Sequence, residues 1–125
     1  MNFIIITQGD FKMKINKLIL VCISFFIVAC DGESETVFIN TPTIQCGMCQ
    51  KTIEMGLKKI QGVNSSNVDL ETKKTKVIYT INKSNIKTIE KAIADLGYQA
   101  NDQLADPIAY EKLPACCQIG GMDHL

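Results

Sequence analysis

Six cysteines stand in this chain of 125 residues, and two of them are spaced for joint chemistry. Cys46 and Cys49 occupy the run Ile44-Gln45-Cys46-Gly47-Met48-Cys49, where an apolar strand pattern gives way to a helical one. The first turn of a helix has unbonded backbone N–H groups and the positive end of the helix dipole, which stabilise a thiolate there. A thiolate is both a metal ligand and a nucleophile. The pair therefore reads as a soft-metal clamp or a redox couple. A plain stabilising disulfide is the third reading, disfavoured by the very short enclosed loop.

A second group sits near the end of the chain. Cys116 and Cys117 are adjacent, and Met122 and the single histidine, His124, follow them. All four are soft or borderline ligands. Adjacent cysteines cannot bond to each other without strain. They can ligate a metal, pair with Cys46 or Cys49, or lie idle in a disordered tail. His124, one residue from the end, reads as a solvent-exposed side chain.

The elements that would position these groups follow from periodicity. Residues 36–44 read as a strand, with Pro42 marking an edge or bend. Residues 50–61 read as a helix, with Ile53, Leu57 and Ile60 at i, i+4 and i+7, and Gly62 as its closing glycine. Val63 and 68–70 give a second strand, and residues 71–74 a polar turn. Residues 76–81 form a third strand with Val77, Tyr79 and Ile81 on one face. Ser84 is placed to cap a second helix lined by Ile86, Ile89, Ile93 and Leu96 and closed by Gly97. Residues 98–101 suffice for a fourth short strand. The order βαββαβ specifies an α+β, ferredoxin-like two-layer sandwich with one thin core.

With that order in place, the chain resembles the heavy-metal-associated domain family of copper chaperones, metal-transporting ATPase modules and periplasmic mercury-binding proteins. The resemblance rests on Cys46-Gly47-Met48-Cys49, Gly62-Val63, Val68-Asp69-Leu70-Glu71-Thr72-Lys73-Lys74 and Ile93-Ala94-Asp95-Leu96-Gly97-Tyr98, and covers residues 36–101. It implies a soft-metal site at Cys46 and Cys49. It further implies that Tyr98 lies near the metal loop; the plain alternative is a core aromatic with a solvent-facing hydroxyl. Where the family carries Gly-Met before the first cysteine, this chain has Thr43 and Ile44, and Ile44 can fill the apolar space beneath the loop. Two thiolates in a near-linear arrangement suit Cu(I), and Hg(II) by the resemblance, whereas Zn(II) prefers four ligands in a tetrahedron. Cys116 and Cys117 are the candidates that would raise two thiolates to four, or hand metal to the pair. The implied partners are a metal-transporting membrane protein or another metal carrier.

The N-terminal segment reads as a targeting signal. Lys14 and Lys17 precede an apolar run of 11 residues, 18–28, too short to span a bilayer comfortably. Ile27-Val28-Ala29-Cys30 resembles a bacterial lipobox, which implies cleavage before Cys30 and lipidation of its thiol. The alternative is an uncleaved anchor. Residues 1–12 fit neither reading, so Met13 is the expected start. The expected organisation is a signal peptide at 1–29, an acidic tether at 30–35, the heavy-metal-associated domain at 36–101 and a Cys-containing tail at 102–125. That places the protein in a bacterial cell envelope, anchored to the membrane by lipid and facing the periplasm or the exterior. Thiols there are exposed to oxidation, and unpaired adjacent cysteines in such a chain argue for use.

Composition narrows the field. All 13 basic residues are lysine, the formal charge is zero and tryptophan is absent. Without arginine, bidentate recognition of phosphate or guanine lacks its usual residue, so nucleic acid is not an expected partner. No Ser/His/Asp set, phosphate-binding glycine loop or paired carboxylates point to an enzyme. A thiol–disulfide oxidoreductase uses the same CxxC spacing. However, no tryptophan precedes Cys46 and no second βαβ pattern follows. A module merely stapled by its cysteines is the remaining alternative.

Overall fold

The structure, a computed structural model, describes residues 32–121. The elements run β1 (Ser34–Asn40), α1 (Gly47–Lys58), β2 (Val63–Asp69), β3 (Lys74–Thr80), α2 (Ile86–Asp95), α3 (Pro107–Glu111) and a 3-10 turn (Ala115–Cys117). The three strands form one antiparallel sheet in the order β1-β3-β2. The polar turn between β2 and β3 makes them a hairpin, and β1 pairs along the other side of β3, with Val37 opposite Val77 and Ile39 opposite Thr75.

Strand alternation separates the two faces of the sheet. On β3, Thr75, Val77 and Tyr79 are buried while Lys74 and Lys76 are exposed. Ile53 and Leu57 of α1 and Ile89 and Ile93 of α2, all fully buried, pack on the inward face. Each contributes about 1.5–3 kcal/mol by leaving water. Thus a single apolar layer between sheet and helices holds the fold, and the loop before α1 rests on its end.

The α+β ferredoxin-like fold is as read from the sequence, and the first five elements of the expected βαββαβ order are formed, with local differences. α1 starts at Gly47, because Cys46 takes the extended conformation of an N-cap and its carbonyl accepts from Gln50 N–H at 3.2 Å. It ends at Lys58, so Gly62 lies in the following turn instead of closing the helix. Asn85, not Ser84, caps α2: its side chain accepts from Thr88 N–H, while the buried Ser84 hydroxyl has no partner among the described residues. Ile81 falls just past β3 and is 45% exposed.

The expected fourth strand at 98–101 is not formed. Ala100 turns back to pair with Gln103, and Asn101 adopts a left-handed φ of 52°. One backbone bond, Asn101 N–H to Asn40 O at 2.8 Å, and one side-chain bond, Asn40 N–H to Asn101 Oδ1 at 2.9 Å, are all that join it to β1. The turn directs the chain away from the edge of β1 and toward the CxxC end of the molecule.

Candidate metal centre

The loop 41–46 is braced from three sides. Thr41 N–H donates to Lys73 O at 2.8 Å, and the Thr41 and Thr75 hydroxyls lie 3.0 Å apart in the interior. Gln99 N–H donates to Thr43 Oγ1 at 3.0 Å. The Lys73 ammonium donates to Ile44 O, the carbonyl two residues before Cys46. Ile44 itself is fully buried, in the apolar role expected of it. From the sequence Lys73 reads only as part of the polar turn and of the block that carries the resemblance; its role as a brace of the CxxC loop comes from the contact with Ile44 O.

Cys46 and Cys49 are both free thiols, with sulfurs 3.6 Å apart. Cys46 is half-buried at the helix N-terminus, whereas Cys49 is fully buried in the first turn. Burial pushes the Cys46 thiol up, but the facing N–H of Cys49, the Cys116 thiol and the N–H of Met48 outweigh it, bringing its pKa down to about 7. Cys46 therefore becomes a thiolate more readily than an ordinary cysteine.

The tail brings two further sulfurs to the same place. Residues 102–121 form a strap: Asp106 caps α3 by accepting from Ala109 N–H at 2.8 Å, and its own N–H donates to Ala94 O at 2.9 Å. The Gln118 amide donates to the carbonyls of Tyr110, Glu111 and Leu113, and Ile119 N–H donates to the Tyr110 hydroxyl at 2.9 Å. A side chain at Gly121 would collide with Ala115 O at 2.0 Å, so only glycine allows this closure. The strap sets Cys116 Sγ 3.3 Å and Cys117 Sγ 3.8 Å from Cys46 Sγ. Cys116 is half-buried and Cys117 is 1% exposed. The Cys46 sulfur raises the Cys116 pKa, and burial followed by the Cys49 sulfur raises that of Cys117 well above the usual thiol range.

Tyr98 is fully buried, so its hydroxyl is not solvent-facing. It faces the Cys117 and Cys49 sulfurs without reaching a hydrogen bond of ordinary length, and burial is the first cause of a phenol held far above its usual range. Met48 Sδ lies 3.7 Å from Cys116 Sγ at the outer edge. Cys30, Met122 and His124 lie outside the described residues, as do the expected signal peptide and the start at Met13.

The profile of the heavy-metal-associated domain matches residues 38–99. The chain is 34% identical over 64 residues to the mercuric transport protein periplasmic component of Shewanella putrefaciens, covering 51% of this chain and 70% of that protein. It is 35% identical over 60 residues to the copper chaperone CopZ of Staphylococcus haemolyticus, covering 48% and 88%. The chain belongs to the heavy-metal-associated domain family. The crystal structure of oxidized MerP from Ralstonia metallidurans CH34 superposes on 55% of the chain and 96% of its own, with a TM-score of 0.53 at 29% identity. As a heavy-metal-associated domain, the protein binds heavy metal through its CxxC pair and is not an enzyme. The match ends at residue 99, so Cys116 and Cys117 lie beyond the part that the family defines.

Proposed function

We propose that this protein carries or sequesters one soft metal ion, Cu(I) or Hg(II), on Cys46 and Cys49 in the bacterial cell envelope. The observation that carries this reading is the position of the two sulfurs, 3.6 Å apart at the N-terminus of α1, with Cys46 held near neutrality. Soft thiolates favour Cu(I) and Hg(II) over the harder divalent ions. The relatives are a mercuric transport component and a copper chaperone, which supports the same pair of ions. Donor and acceptor would be a metal-transporting membrane protein or another carrier, exchanging the ion by thiol attack on the bound metal.

The extracytoplasmic setting is supported by the lipobox-like Ile27-Val28-Ala29-Cys30 and by the periplasmic relatives. Lipid attached to Cys30 would anchor the domain, with translation starting at Met13. Palmitate labelling that survives Cys30→Ser would reject the anchor.

Anaerobic titration of the reduced protein tests the metal reading. One equivalent of Cu(I) or Hg(II) should bind, and Cys46→Ser/Cys49→Ser should abolish it. Insulin reduction at an enzymatic rate, with no metal uptake, would instead establish an oxidoreductase.

A further inference from the structure

Resting on that reading, we propose that Cys116 and Cys117 are themselves metal ligands, so that the ion sits in a closed cage of at least three sulfurs and not on an open CxxC pair. The spacing of the sulfurs is the first argument. Cys46, Cys116 and Cys117 lie 3.3, 3.8 and 3.9 Å from one another, all within one coordination sphere. The point equidistant from these three sulfurs is ~2.1 Å from each, close to the ~2.3 Å of a zinc–thiolate bond. A two-coordinate ion with bonds of that length would instead need its sulfurs ~4.6 Å apart. Cys46 and Cys49 are 3.6 Å apart, a separation suited to two corners of a trigonal or tetrahedral set.

The second argument comes from the residue beneath the cysteines. The hydroxyl of Tyr98, fully buried, lies beside the Cys117 and Cys49 sulfurs and has no hydrogen-bond partner among the described residues. A buried hydroxyl without a hydrogen bond is costly. Conversion of either sulfur to a metal-bound thiolate supplies the acceptor it lacks. The third argument is the construction of the strap. Gln118 fixes three carbonyls, and Gly121 permits the closing turn, so the adjacent thiols are delivered by a folded element.

On binding, each ligating thiol exchanges its S–H bond for a metal–sulfur bond and gives its proton to solvent. Tethering the extra thiols on the same chain gives them a high effective concentration, so release becomes slower than from two sulfurs alone. Cys116, half-buried beside the 54%-exposed Met48, is a sulfur that an incoming thiol can reach, unlike the buried Cys49 and Cys117. The strap therefore biases the protein toward retention of the ion, with transfer beginning by displacement of Cys116.

X-ray absorption on the full reduced chain loaded with one equivalent of Cu(I), and separately of Hg(II), tests this directly. At least three sulfur ligands are expected in the parent and fewer in Cys116→Ala/Cys117→Ala. Competition with a chromophoric chelator should show affinity falling by about 10²-fold in that variant. Because Cys117 is in the core, the single Cys116→Ala variant, at a half-buried site, is the control for folding; it should lose one sulfur ligand and speed metal release. Two sulfur ligands in the parent, with affinity and release unchanged in both variants, would overturn the cage and leave the CxxC reading standing. No binding by the parent would overturn both.

Discussion

Lys73 links the hairpin to the metal loop, and its backbone shows the cost of that link. It is held at a φ of 56°, a conformation unfavourable for a residue with a Cβ, while its carbonyl accepts from Thr41 and its ammonium from the other side reaches Ile44 O. A hydrogen bond from a charged donor contributes about 1.5–3 kcal/mol when enclosed, and less at a half-buried site. Lys73→Met should therefore lower stability by about 1 kcal/mol and weaken metal binding several-fold; urea unfolding and chelator competition measure the two. Unchanged affinity would show that the loop holds its shape without the brace. Glu90 presents a different case. It is 5% exposed, accepts from Asn101 Nδ2 at 2.7 Å and from Lys87 Nζ at 3.0 Å, and its pKa is lowered first by the Asn101 bond, against burial, with help from Lys87. A carboxylate depressed in the folded state stabilises fully above the unfolded value of about 4.3 and loses that contribution as pH falls through the lower folded value. Glu90→Gln should flatten the acid limb of stability against pH below about pH 4.3. An acid limb identical to the parent's would show that Glu90 titrates alike in both states.

At the scale of elements, Gly97 connects the domain to its strap. It is the residue after the C-cap of α2, with φ 95°; its N–H donates to Ala94 O and the next N–H, of Tyr98, donates to Ile93 O, a Schellman closure. A methyl group there would also meet the backbone of Ala109 and Tyr110 at 3.0 Å. Gly97→Ala should thus cost about 1–3 kcal/mol and raise amide exchange in α3 more than in β3. Equal exchange changes in both elements would mean that the strap does not seat on this glycine. The two helices and the hairpin were legible because each buries one periodic face, and the CxxC position followed from the strand–helix boundary. The missing fourth strand was not legible. Residues 98–101 have length enough for a strand, but the left-handed turn at Asn101 depends on bonds to Asn40 and Glu90, 61 and 11 residues away. Cys116 and Cys117 could be flagged as competent ligands from residue type alone. Their distance from Cys46 could not, because it is fixed by tertiary contacts of Gln118, Asp106 and Gly121.

For the whole molecule, the strap lies beyond residues 38–99, the part that the family profile matches. The copper chaperone relative is covered over 88% of its length by 60 residues of this chain, so a protein of that family needs little beyond the sheet and two helices. Ending the chain after Asn101 keeps both its bonds to Asn40 and its bond to Glu90. It removes the Asp106 N–H from Ala94 O, the buried Cys117 side chain and the half-buried Leu113. Lost apolar burial of that extent amounts to about 2–4 kcal/mol. Part is returned, because the Tyr98 hydroxyl, unpartnered under the strap, gains water when the strap is absent. The expected net loss is about 1–3 kcal/mol, within the 5–15 kcal/mol that a domain of this size typically has. The shortened chain should therefore still unfold in one cooperative step in urea, at a lower midpoint and with a slightly smaller m-value. It should also bind one equivalent of Cu(I) on Cys46 and Cys49, but release it faster. A shortened chain with no cooperative transition would show instead that the strap is part of the core, and that Cys117 was placed there for packing before chemistry.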